Sequence, residues 1–419
     1  MRIAVVGAGI SGLAAAWLLD RRHEVHLFEA QARLGGHANT VRLARPDGSR
    51  LDVDTGFLVY NERTYPLLIR LFDELGVATQ PSDMSWSLRC RRCELEYAGS
   101  ARGIFADPRR VRDPAHLRLL ADLLRFNRLG RRLLASGRLP ATTLGRFVQD
   151  AGLSASFRDH YLLPMVAAVW SSGTQDVRDF DVGALLRFLD NHGLLGVRTH
   201  HSWRSVVGGS VNYVRRLAAP LGERVHVGAG IHSVARDTGG VHLRTARGAT
   251  VGFDVVVLAC HADQALGLLA DPTPDEKELL GAWRYTDNDA WLHSDPDLLP
   301  HRPAARAAWN YLLEDCRDAT PRAALTYDLG RLQRLGEDRD YLVTLNPARA
   351  PRAATVHRRL AYRHPSFVRD SVATQPRLST LDGHRRTFFA GAYQRHAFHE
   401  DGLHAAVRVA ARLGVRWPS

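Results

Sequence analysis

Long apolar runs are missing from this chain of 419 residues. A helix that crosses a bilayer needs about 18 or more consecutive apolar residues, so the sequence predicts no membrane-spanning helix. The first residues superficially resemble a signal peptide, but Gly7, Gly9 and Gly12 interrupt the stretch where an unbroken apolar core belongs. We therefore interpret this segment as folded structure and expect a cytoplasmic protein.

Cysteine is also scarce, with four residues, too few for a disulfide framework in a chain of this length. Cys90 and Cys93 form a CxxC pair, but a zinc site needs further ligands at matching spacing, and Cys260 and Cys316 stand alone. We interpret the pair as incidental, on a hairpin, and Cys260 as a buried thiol in an apolar run. We predict no metal site.

Lysine is nearly absent, since Lys277 is the only one and all the other basic side chains that carry the net charge of +12 are arginines. The positive charge is dispersed along the chain, and no basic motif with interleaved aromatic residues accompanies it. This distribution argues against nucleic acid as a partner. The forked guanidinium of arginine still suits phosphate and carboxylate groups.

The size and composition favour two lobes. A single hydrophobic core seldom serves more than about 300 residues, so roughly two to three domains are expected. The content of 45% hydrophobic and 24% charged residues is ordinary for a globular protein.

The first 30 residues carry the strongest pattern. Residues 2–6 predict a buried strand, and Gly7, Gly9 and Gly12 follow it ahead of an apolar helix. Such glycines permit a tight turn and let the helix amino terminus approach a pyrophosphate. A second strand ends at Glu29, where the fingerprint expects a carboxylate that binds the adenosine ribose. The pattern predicts a dinucleotide and leaves NAD and FAD open.

Further motifs separate these two cofactors. Gly35 and Gly36 follow Glu29, and a later stretch, VDTGFLVYN, carries Gly56. With these residues the chain resembles the FAD-dependent amine oxidase and phytoene desaturase superfamily. The resemblance extends to a middle block, VVGGSVNYVRRLAAPL and FDVVVLACHADQ, and to a closing segment, TFFAGAYQRHAFHEDGLHAAVRVAARL. It implies FAD, with the final helix amino terminus stabilising negative charge on the reduced flavin.

The same resemblance implies the positions that contact FAD. Ile231 matches the residue whose backbone brackets adenine, Gly391 contacts the cofactor, and Gly402 is expected to open the final helix. The full set of expected cofactor contacts is Gly7, Gly9, Ile10, Ser11, Gly12, Glu29, Ala30, Arg33, Gly35, Gly36, His37, Thr55, Gly56, Phe57, Ile231, Cys260, Gly391, Ala392, Asp401, Gly402 and Leu403.

The implied fold is α/β with two lobes. A doubly wound, Rossmann-like FAD-binding lobe is built from discontinuous segments, and a mixed α+β substrate lobe covers the flavin. The expected boundaries are 1–76, 201–270 and 381–419 for the FAD-binding lobe, and 77–200 and 271–380 for the substrate lobe.

The expected chemistry departs from that of amine oxidases. Many of them place a lysine near flavin N5, but the matching stretch, WRYTDNDAWLHSD, contains none. We therefore predict an oxidase or desaturase that takes hydride from an activated C–H bond of a hydrophobic substrate to flavin N5, with reoxidation by oxygen. The alternatives are an amine oxidase, a flavin-dependent isomerase, and a redox-silent flavoprotein partner of a lipid methyltransferase.

Four side chains are candidates for catalysis. His399 lies where amine oxidases place an aromatic group over the flavin, and a histidine with a near-neutral pKa can exchange a proton while Glu400 tunes that pKa. Its neighbours in HEDG otherwise only cap the final helix. Tyr60 and Asn61 follow the Gly56 turn and either line the pocket or form a turn before the next helix.

Other motifs indicate a lipid substrate by resemblance. The stretches VDTGFLVYN, PMVAAVW, NHGLL and FHEDG resemble a subgroup of oxidoreductases associated with methyltransferases similar to cyclopropane-fatty-acid synthase. This resemblance implies a fatty-acyl or phospholipid substrate and a methyltransferase partner. Residues 115–135 also alternate leucines with arginines, which predicts either a peripheral contact with the inner membrane face or a helix with a solvated arginine face.

Overall fold

The computed structural model describes residues 1–45, 47–170, 177–196, 202–317 and 324–417, without the side chains of 168–170. The strands in these ranges are β1 Arg2–Val6, β2 Glu24–Glu29, β3 Thr40–Ala44, β4 Arg50–Asp54, β5 Tyr60–Asn61, β6 Thr79–Pro81, β7 Trp86–Cys90, β8 Leu95–Ala98, β9 Trp203–Val206, β10 Val225–Val227, β11 Ile231–Arg236, β12 Val241–Thr245, β13 Thr250–Phe253, β14 Val255–Leu258, β15 Tyr285–His293, β16 Trp309–Leu313, β17 Ala324–Asp328, β18 Leu342–Leu345, β19 Val356–Pro365 and β20 Thr387–Phe389.

The α-helices in the same ranges are α1 Ile10–Leu19, α2 Pro66–Leu75, α3 Pro114–Ser136, α4 Leu144–Asp150, α5 Ala155–Phe157, α6 Leu163–Trp170, α7 Val182–Asn191, α8 Val211–Ala218, α9 Ala262–Leu268, α10 Pro274–Gly281, α11 Leu329–Gln333, α12 Arg369–Leu378 and α13 His399–Arg412. A π-helical turn, Arg158–Leu162, lies between α5 and α6. No helix of these described segments combines the length and the apolar character that a membrane crossing needs.

A parallel sheet of five strands forms the first lobe, in the order β10-β2-β1-β14-β20. Its central strand β1 pairs Ile3 with Val25 on one side and with Val255 on the other. These residues form continuous apolar runs because helices and loops cover both faces of the sheet. The strands of this sheet come from residues 2–29, 225–258 and 387–389.

A mixed sheet of seven strands forms the second layer, in the order β19-β15-β18-β17-β16-β7-β8. Its only parallel pair within the described residues is β7 with β16, and the other neighbours run antiparallel. The longest pairing joins β15 to β19 and sets Asn288 opposite Tyr362. Helices α3 to α7 form a helical region that packs beside this sheet.

The predicted α/β fold, with a doubly wound FAD-binding lobe and a mixed second lobe, is confirmed. The lobe boundaries given above stay a prediction. The two lobes meet where β14 and β20 end and where the start of β15 pairs with the end of β19, and this junction contains the candidate site.

Candidate active site

The turn before α1 offers a place for an anion. Gly7 has a φ of 102°, in the left-handed region that favours glycine, and a Cβ on Gly12 would stand 1.8 Å from the Gly7 carbonyl oxygen. In the described chain no side chain caps the first turn of α1, and no acidic residue lies in that turn. The free N–H groups and the positive end of the helix dipole therefore face the space before the helix.

That space is open next to Gly9. A Cβ placed on Gly9 would meet no atom of the described residues within 4 Å. On its other side lies Gly36, whose own Cβ would stand 3.1 Å from the Gly9 Cα. The two glycine loops thus touch and still leave room for a pyrophosphate at the start of α1. We call loops 7–12 and 35–37 the glycine cradle.

Glu29 and Arg33 brace the glycine cradle. The Glu29 carboxylate accepts hydrogen bonds from the N–H groups of Ala8 and Gln31, each at 2.8 Å. Each carboxylate oxygen keeps acceptor capacity for a ribose hydroxyl, as the fingerprint requires. Arg33 donates from Nη1 to the Gly36 carbonyl at 2.8 Å, and the Gly35 N–H donates to the Ala8 carbonyl at 2.8 Å.

The loop after β4, residues 55–57, packs as a third layer against loop 35–37 of the glycine cradle. The Phe57 N–H donates to the His37 carbonyl at 2.8 Å, and a Cβ on Gly56 would stand 2.2 Å from the same oxygen. The Thr55 hydroxyl lies 2.7 Å from the Tyr362 hydroxyl. This layer therefore joins the glycine cradle to β19 of the seven-stranded sheet.

The remaining predicted cofactor positions surround the same region. Cys260 and Gly391 follow β14 and β20, at the carboxyl ends of parallel strands, where doubly wound folds bind ligands. A Cβ on Gly7 would stand 3.1 Å from the Cys260 nitrogen. Burial raises the pKa of Cys260 to about 12, so the thiol stays protonated at neutral pH. Ile231 begins β11, and the residue before it packs against Ala30.

The final helix, α13, begins three residues earlier than the sequence predicts. Helix α13 begins at His399, so Gly402 does not open the helix but is its fourth residue. A Cβ on Gly402 would stand 2.7 Å from Ser11 Oγ and 2.8 Å from Ile10 Cγ2. Gly402 therefore lets α13 cross the start of α1 at close range, and the fully buried Leu403 packs in the core beside it.

The two acids of the HEDG stretch both cap helices. Asp401 accepts from the N–H groups of Phe398 at 3.0 Å and His396 at 3.2 Å, which caps α13 from within its first turn. Glu400 accepts from the N–H groups of Leu67 and Leu68, each at 2.9 Å, at the start of α2. Burial raises the pKa of Glu400 to about 7. The Glu400 carboxylate therefore caps α2, and its catalytic role stays a prediction.

His399 is held firmly. Its ring stacks on Phe57 with centroids 3.7 Å apart, and its Nε2 lies 2.9 Å from the Tyr213 hydroxyl. Burial lowers the pKa of His399 to about 3. The expected near-neutral pKa is therefore wrong, and Glu400 does not tune it, since burial is the cause of the shift.

Tyr60 and Asn61 are both buried within the protein. Tyr60 is buried between Tyr65 and Phe72, with ring centroids 6.1 and 5.4 Å away. Asn61 is fully buried, and its Oδ1 accepts from the backbone N–H of Thr64 at 2.9 Å while its Nδ2 donates to the Thr64 hydroxyl at 2.8 Å. The Arg63 N–H, two residues on, also donates to Asn61 Oδ1 at 3.0 Å, which makes an Asx turn. This favours the alternative of a turn before α2, and the catalytic roles of Tyr60 and Asn61 stay a prediction.

A cluster that the sequence analysis missed lies beside the cradle. The ring of His37 lies 5.2 Å from that of Tyr362, 5.1 Å from that of His364 and 6.3 Å from that of His261. His261 in turn stacks on Tyr285 at 4.3 Å. We call His37, His261 and His364 the histidine cluster. It joins the second glycine loop, the end of β14 and the strand β19.

Burial keeps the histidine cluster uncharged. It lowers the pKa of His261 and His364 to about 4 and, with the neighbouring histidines, holds the pKa of His37 well below its usual range. His37 Nε2, His261 Nδ1 and the Tyr393 hydroxyl are buried polar atoms with no hydrogen-bond partner among the described residues. Such orphaned groups are uncommon in folded proteins and indicate a place for a polar ligand.

Asn288 fixes the orientation of His364. Asn346 accepts the Asp289 N–H at 2.9 Å through Oδ1 and donates through Nδ2 to Asn288 Oδ1 at 2.7 Å. This leaves Asn288 Nδ2 to donate to His364 Nδ1 at 3.0 Å. An imidazole nitrogen that accepts a hydrogen bond carries no proton, so the His364 proton resides on Nε2.

A dinucleotide cradle at the carboxyl ends of a parallel sheet, roofed by a second sheet, defines the class of FAD-binding oxidoreductases. The open space at Gly9, the free N–H groups of α1 and the orphaned polar atoms fit FAD. The sequence pattern of the flavin containing amine oxidoreductase family matches residues 10–287, and the chain belongs to this family. Its cofactor is FAD.

Individual relatives agree with this family. The chain is 29% identical over 300 residues to a Mycobacterium tuberculosis protein assigned as a flavin-containing monoamine oxidase, AofH, covering 67% of this chain and 62% of that protein. The chain thus spans less than two thirds of the length of this relative. A second relative, an L-amino-acid oxidase of Pseudechis australis, is 39% identical over 87 residues, which cover 20% of this chain and 17% of that protein.

Solved structures show the same fold. Cyclohexylamine oxidase from Brevibacterium oxydans superimposes with a TM-score of 0.69 at 18% identity and 99% coverage of both chains. A fatty acid isomerase from P. acnes that produces CLA superimposes with a TM-score of 0.68 at 16% identity and 98% coverage of both chains.

Proposed function

We propose that this protein is an FAD-dependent oxidoreductase that takes hydride from a C–H bond of an uncharged, hydrophobic substrate, with a fatty-acyl chain as the substrate class. The observation that carries the proposal is the uncharged histidine cluster beside the cradle. The nearby carboxylate of Asp263 is paired with Arg363 at 2.9 Å, so its negative charge is not free to bind an ammonium substrate.

His364 and His261 have different proposed roles in the reaction. When bound, FAD accepts hydride at its N5 atom. His364 presents a fixed Nε2–H, because Asn288 occupies its Nδ1, and this N–H orients an acceptor group in the site. The buried His261 Nδ1 has no hydrogen-bond partner among the described residues, and this atom is the proposed acceptor of the substrate proton. Both roles require neutral imidazoles, which the lowered pKa values provide at pH 7.

The exposed face of α3 supports a lipid substrate. Leu117 and Leu124 are 43% and 52% exposed and lie seven residues apart, on one side of the helix. Arg118, Arg125 and Arg128 are exposed on the same stretch. Apolar side chains flanked by arginines are typical of helices that lie on an anionic bilayer surface. Such a surface would let an acyl chain pass from a membrane to the enzyme.

A flavin reduction assay tests the substrate class. Purified protein is mixed without oxygen with unsaturated fatty acids, phospholipid vesicles and a panel of primary and secondary amines, and the flavin absorbance is followed. We expect lipids to bleach the flavin and amines to leave it oxidised. Bleaching by amines alone would overturn the proposal. The variant His261→Gln should slow the reduction about tenfold or more, while the exposed His232→Gln serves as the matched control.

An amine substrate is the second candidate, because the relative of 29% identity is assigned as a monoamine oxidase. It predicts bleaching by amines and release of hydrogen peroxide in air. The remaining alternatives also give distinct results. A flavin-dependent isomerase converts lipid without net accumulation of reduced flavin, and a redox-silent partner protein leaves the flavin oxidised with every compound.

A further inference from the structure

Four metal-binding side chains meet outside the candidate active site. The ligand atoms of Cys90, Cys93, His160 and Cys316 all lie within 4.8 Å of one another. The chain brings them from three separate places: the hairpin of β7 and β8, the π-helical turn before α6, and the loop after β16. The prediction that the CxxC pair lies on a hairpin is confirmed, but the interpretation of the pair as incidental does not account for this convergence.

The spacing suits one tetrahedral ion. Zinc binds thiolate sulfur at about 2.3 Å and imidazole nitrogen at about 2.0–2.1 Å, so a tetrahedral site separates two sulfurs by about 3.8 Å and a sulfur from a nitrogen by about 3.6 Å. The Cys93 sulfur lies 3.4 Å from His160 Nε2. All six separations fall below 4.8 Å, so small side-chain rotations suffice to close the site.

The hairpin presents its two cysteines toward the same point. Cys90 ends β7 and pairs with Leu95, the first residue of β8. Between them, Glu94 adopts a φ of 52°, an uncommon conformation for a residue other than glycine. The left-handed residue tightens the turn directly after Cys93, and both sulfurs lie within 4.8 Å of the His160 ligand atom.

Two ion pairs hold the loop that carries Cys316 against this hairpin. Arg92 pairs with Asp315 at 2.8 Å and Arg91 pairs with Glu314 at 3.4 Å. The Arg91 N–H also donates to the Leu313 carbonyl at 2.9 Å, which continues the pairing of β7 with β16. Cys316 follows directly, and these contacts hold its loop against the CxxC turn.

A π-helical turn presents the histidine. His160 lies in the middle of Arg158–Leu162, where one extra residue widens the helix. Such insertions recur at functional sites because they redirect a side chain. The carbonyl of His160 accepts the Tyr97 hydroxyl at 2.7 Å, which fastens this turn to β8. The ring is thereby held over the hairpin.

We propose that Cys90, Cys93, His160 and Cys316 bind one zinc ion in a closed, four-coordinate structural site. Three thiolates and one imidazole are soft ligands that favour zinc over magnesium or calcium. Four protein ligands leave no position for a substrate, so the ion crosslinks the helical region to the seven-stranded sheet and takes no part in the redox reaction. The earlier prediction of no metal site is replaced by this proposal.

Metal analysis of the full-length protein tests it. Protein purified under reducing conditions without added chelator should contain about one zinc per chain, and X-ray absorption of the native protein should show three sulfurs at about 2.3 Å and one nitrogen at about 2.0 Å. Protein that contains no zinc and takes up none overturns the proposal. A coordination shell of oxygen and nitrogen alone, or a Cys90 to Cys93 disulfide in the reduced preparation, overturns it as well.

Variants locate the ion. Cys316→Ser and His160→Gln should each lower the zinc content at least fivefold, and the matched variants Cys260→Ser and His301→Gln should retain it. If the first two variants do not fold, cobalt substitution of the unaltered protein replaces them as the test. Thiolate-to-cobalt charge-transfer bands and tetrahedral d–d bands are then expected, and an octahedral spectrum contradicts the site.

Discussion

Asn288 and His364 are diagonal neighbours on the adjacent strands β15 and β19, and the Asn288 amide donates to His364 Nδ1 at 3.0 Å. Asn288 is buried in the strand whose sequence lacks a lysine, and Asn346 fixes which way its amide points. The side chain of Asn288 therefore decides which nitrogen of His364 carries the proton. It also places a neutral hydrogen-bond donor in the site.

Replacing Asn288 should reverse this proton assignment. In Asn288→Asp the carboxylate accepts from His364, so the proton moves to Nδ1 and Nε2 becomes an acceptor. We expect the ¹⁵N shifts of His364 to exchange and the rate of flavin reduction to fall about tenfold, the value of one hydrogen bond. Asn212→Asp, in the first turn of α8, is the control. Unchanged ¹⁵N shifts would show that Asn288 does not set the tautomer.

Gly9→Ala should separate cofactor binding from folding. Gly9 has φ and ψ of −72° and −176°, which alanine adopts freely. Because its Cβ would meet no described protein atom within 4 Å, the melting temperature of the apoprotein should stay the same. The new methyl group would occupy the space at the start of α1, so the Kd for FAD should rise at least tenfold. An unchanged Kd, measured by fluorescence titration, would place the pyrophosphate elsewhere.

Gly402→Ala should weaken the contact between α1 and α13. Its Cβ would stand 2.7 Å from Ser11 Oγ and 2.8 Å from Ile10 Cγ2, so the helices must move apart. We expect a loss of about 1–3 kcal/mol in the free energy of unfolding, measured by urea denaturation, and weaker FAD binding. The control is Gly267→Ala in α9, whose Cβ finds open space. Equal stabilities of the two variants would refute the close approach.

His399 should make the protein sensitive to acid. Its pKa is about 3 in the folded protein because of burial, whereas an unfolded histidine titrates at about 6.5. Between these values the unfolded chain binds the proton and the folded one does not, so the free energy of unfolding falls as the pH falls below about 6.5. In His399→Phe this contribution disappears.

Urea denaturation at two pH values measures the effect. Between pH 7.5 and pH 5, His399→Phe should lose less stability than the unaltered protein, by up to about 2 kcal/mol. His232→Gln, at an exposed position, should follow the unaltered protein. Parallel pH profiles for His399→Phe and the unaltered protein would show that His399 is protonated in the folded state.

The cofactor cradle was predictable because its pattern is local. Strand, glycine turn, helix and Glu29 lie within 30 consecutive residues, and their spacing alone predicts the geometry found. The Asx turn at Asn61 was not separable from a pocket residue, since both uses require a polar side chain after a glycine turn. The capping of α2 by Glu400 could not be predicted because its partners, Leu67 and Leu68, lie more than 300 positions away.

The histidine cluster and the cysteine site could not be predicted from the sequence because their residues come from distant segments of the chain. His37 was an expected cofactor contact after Gly35 and Gly36, but no motif spacing links it to His261 and His364, which come from two further segments. The only advance indication was the lysine missing from β15, where Asn288 is found. For the cysteines, the CxxC pair was visible, but the π-helical turn that presents His160 leaves no recognisable mark in the sequence.

The position of β20 at the edge of the parallel sheet has a consequence for biosynthesis. This strand and α13 are the last regular elements of the described chain, whereas their partners β14 and α1 are made far earlier. At about 5–20 residues per second, a ribosome needs roughly 20 to 70 seconds to travel from Glu29 to Thr387. During that interval the nascent first lobe stays open at one edge, so we expect chaperones to shield it and flavin to be captured only after β20 and α13 have been made.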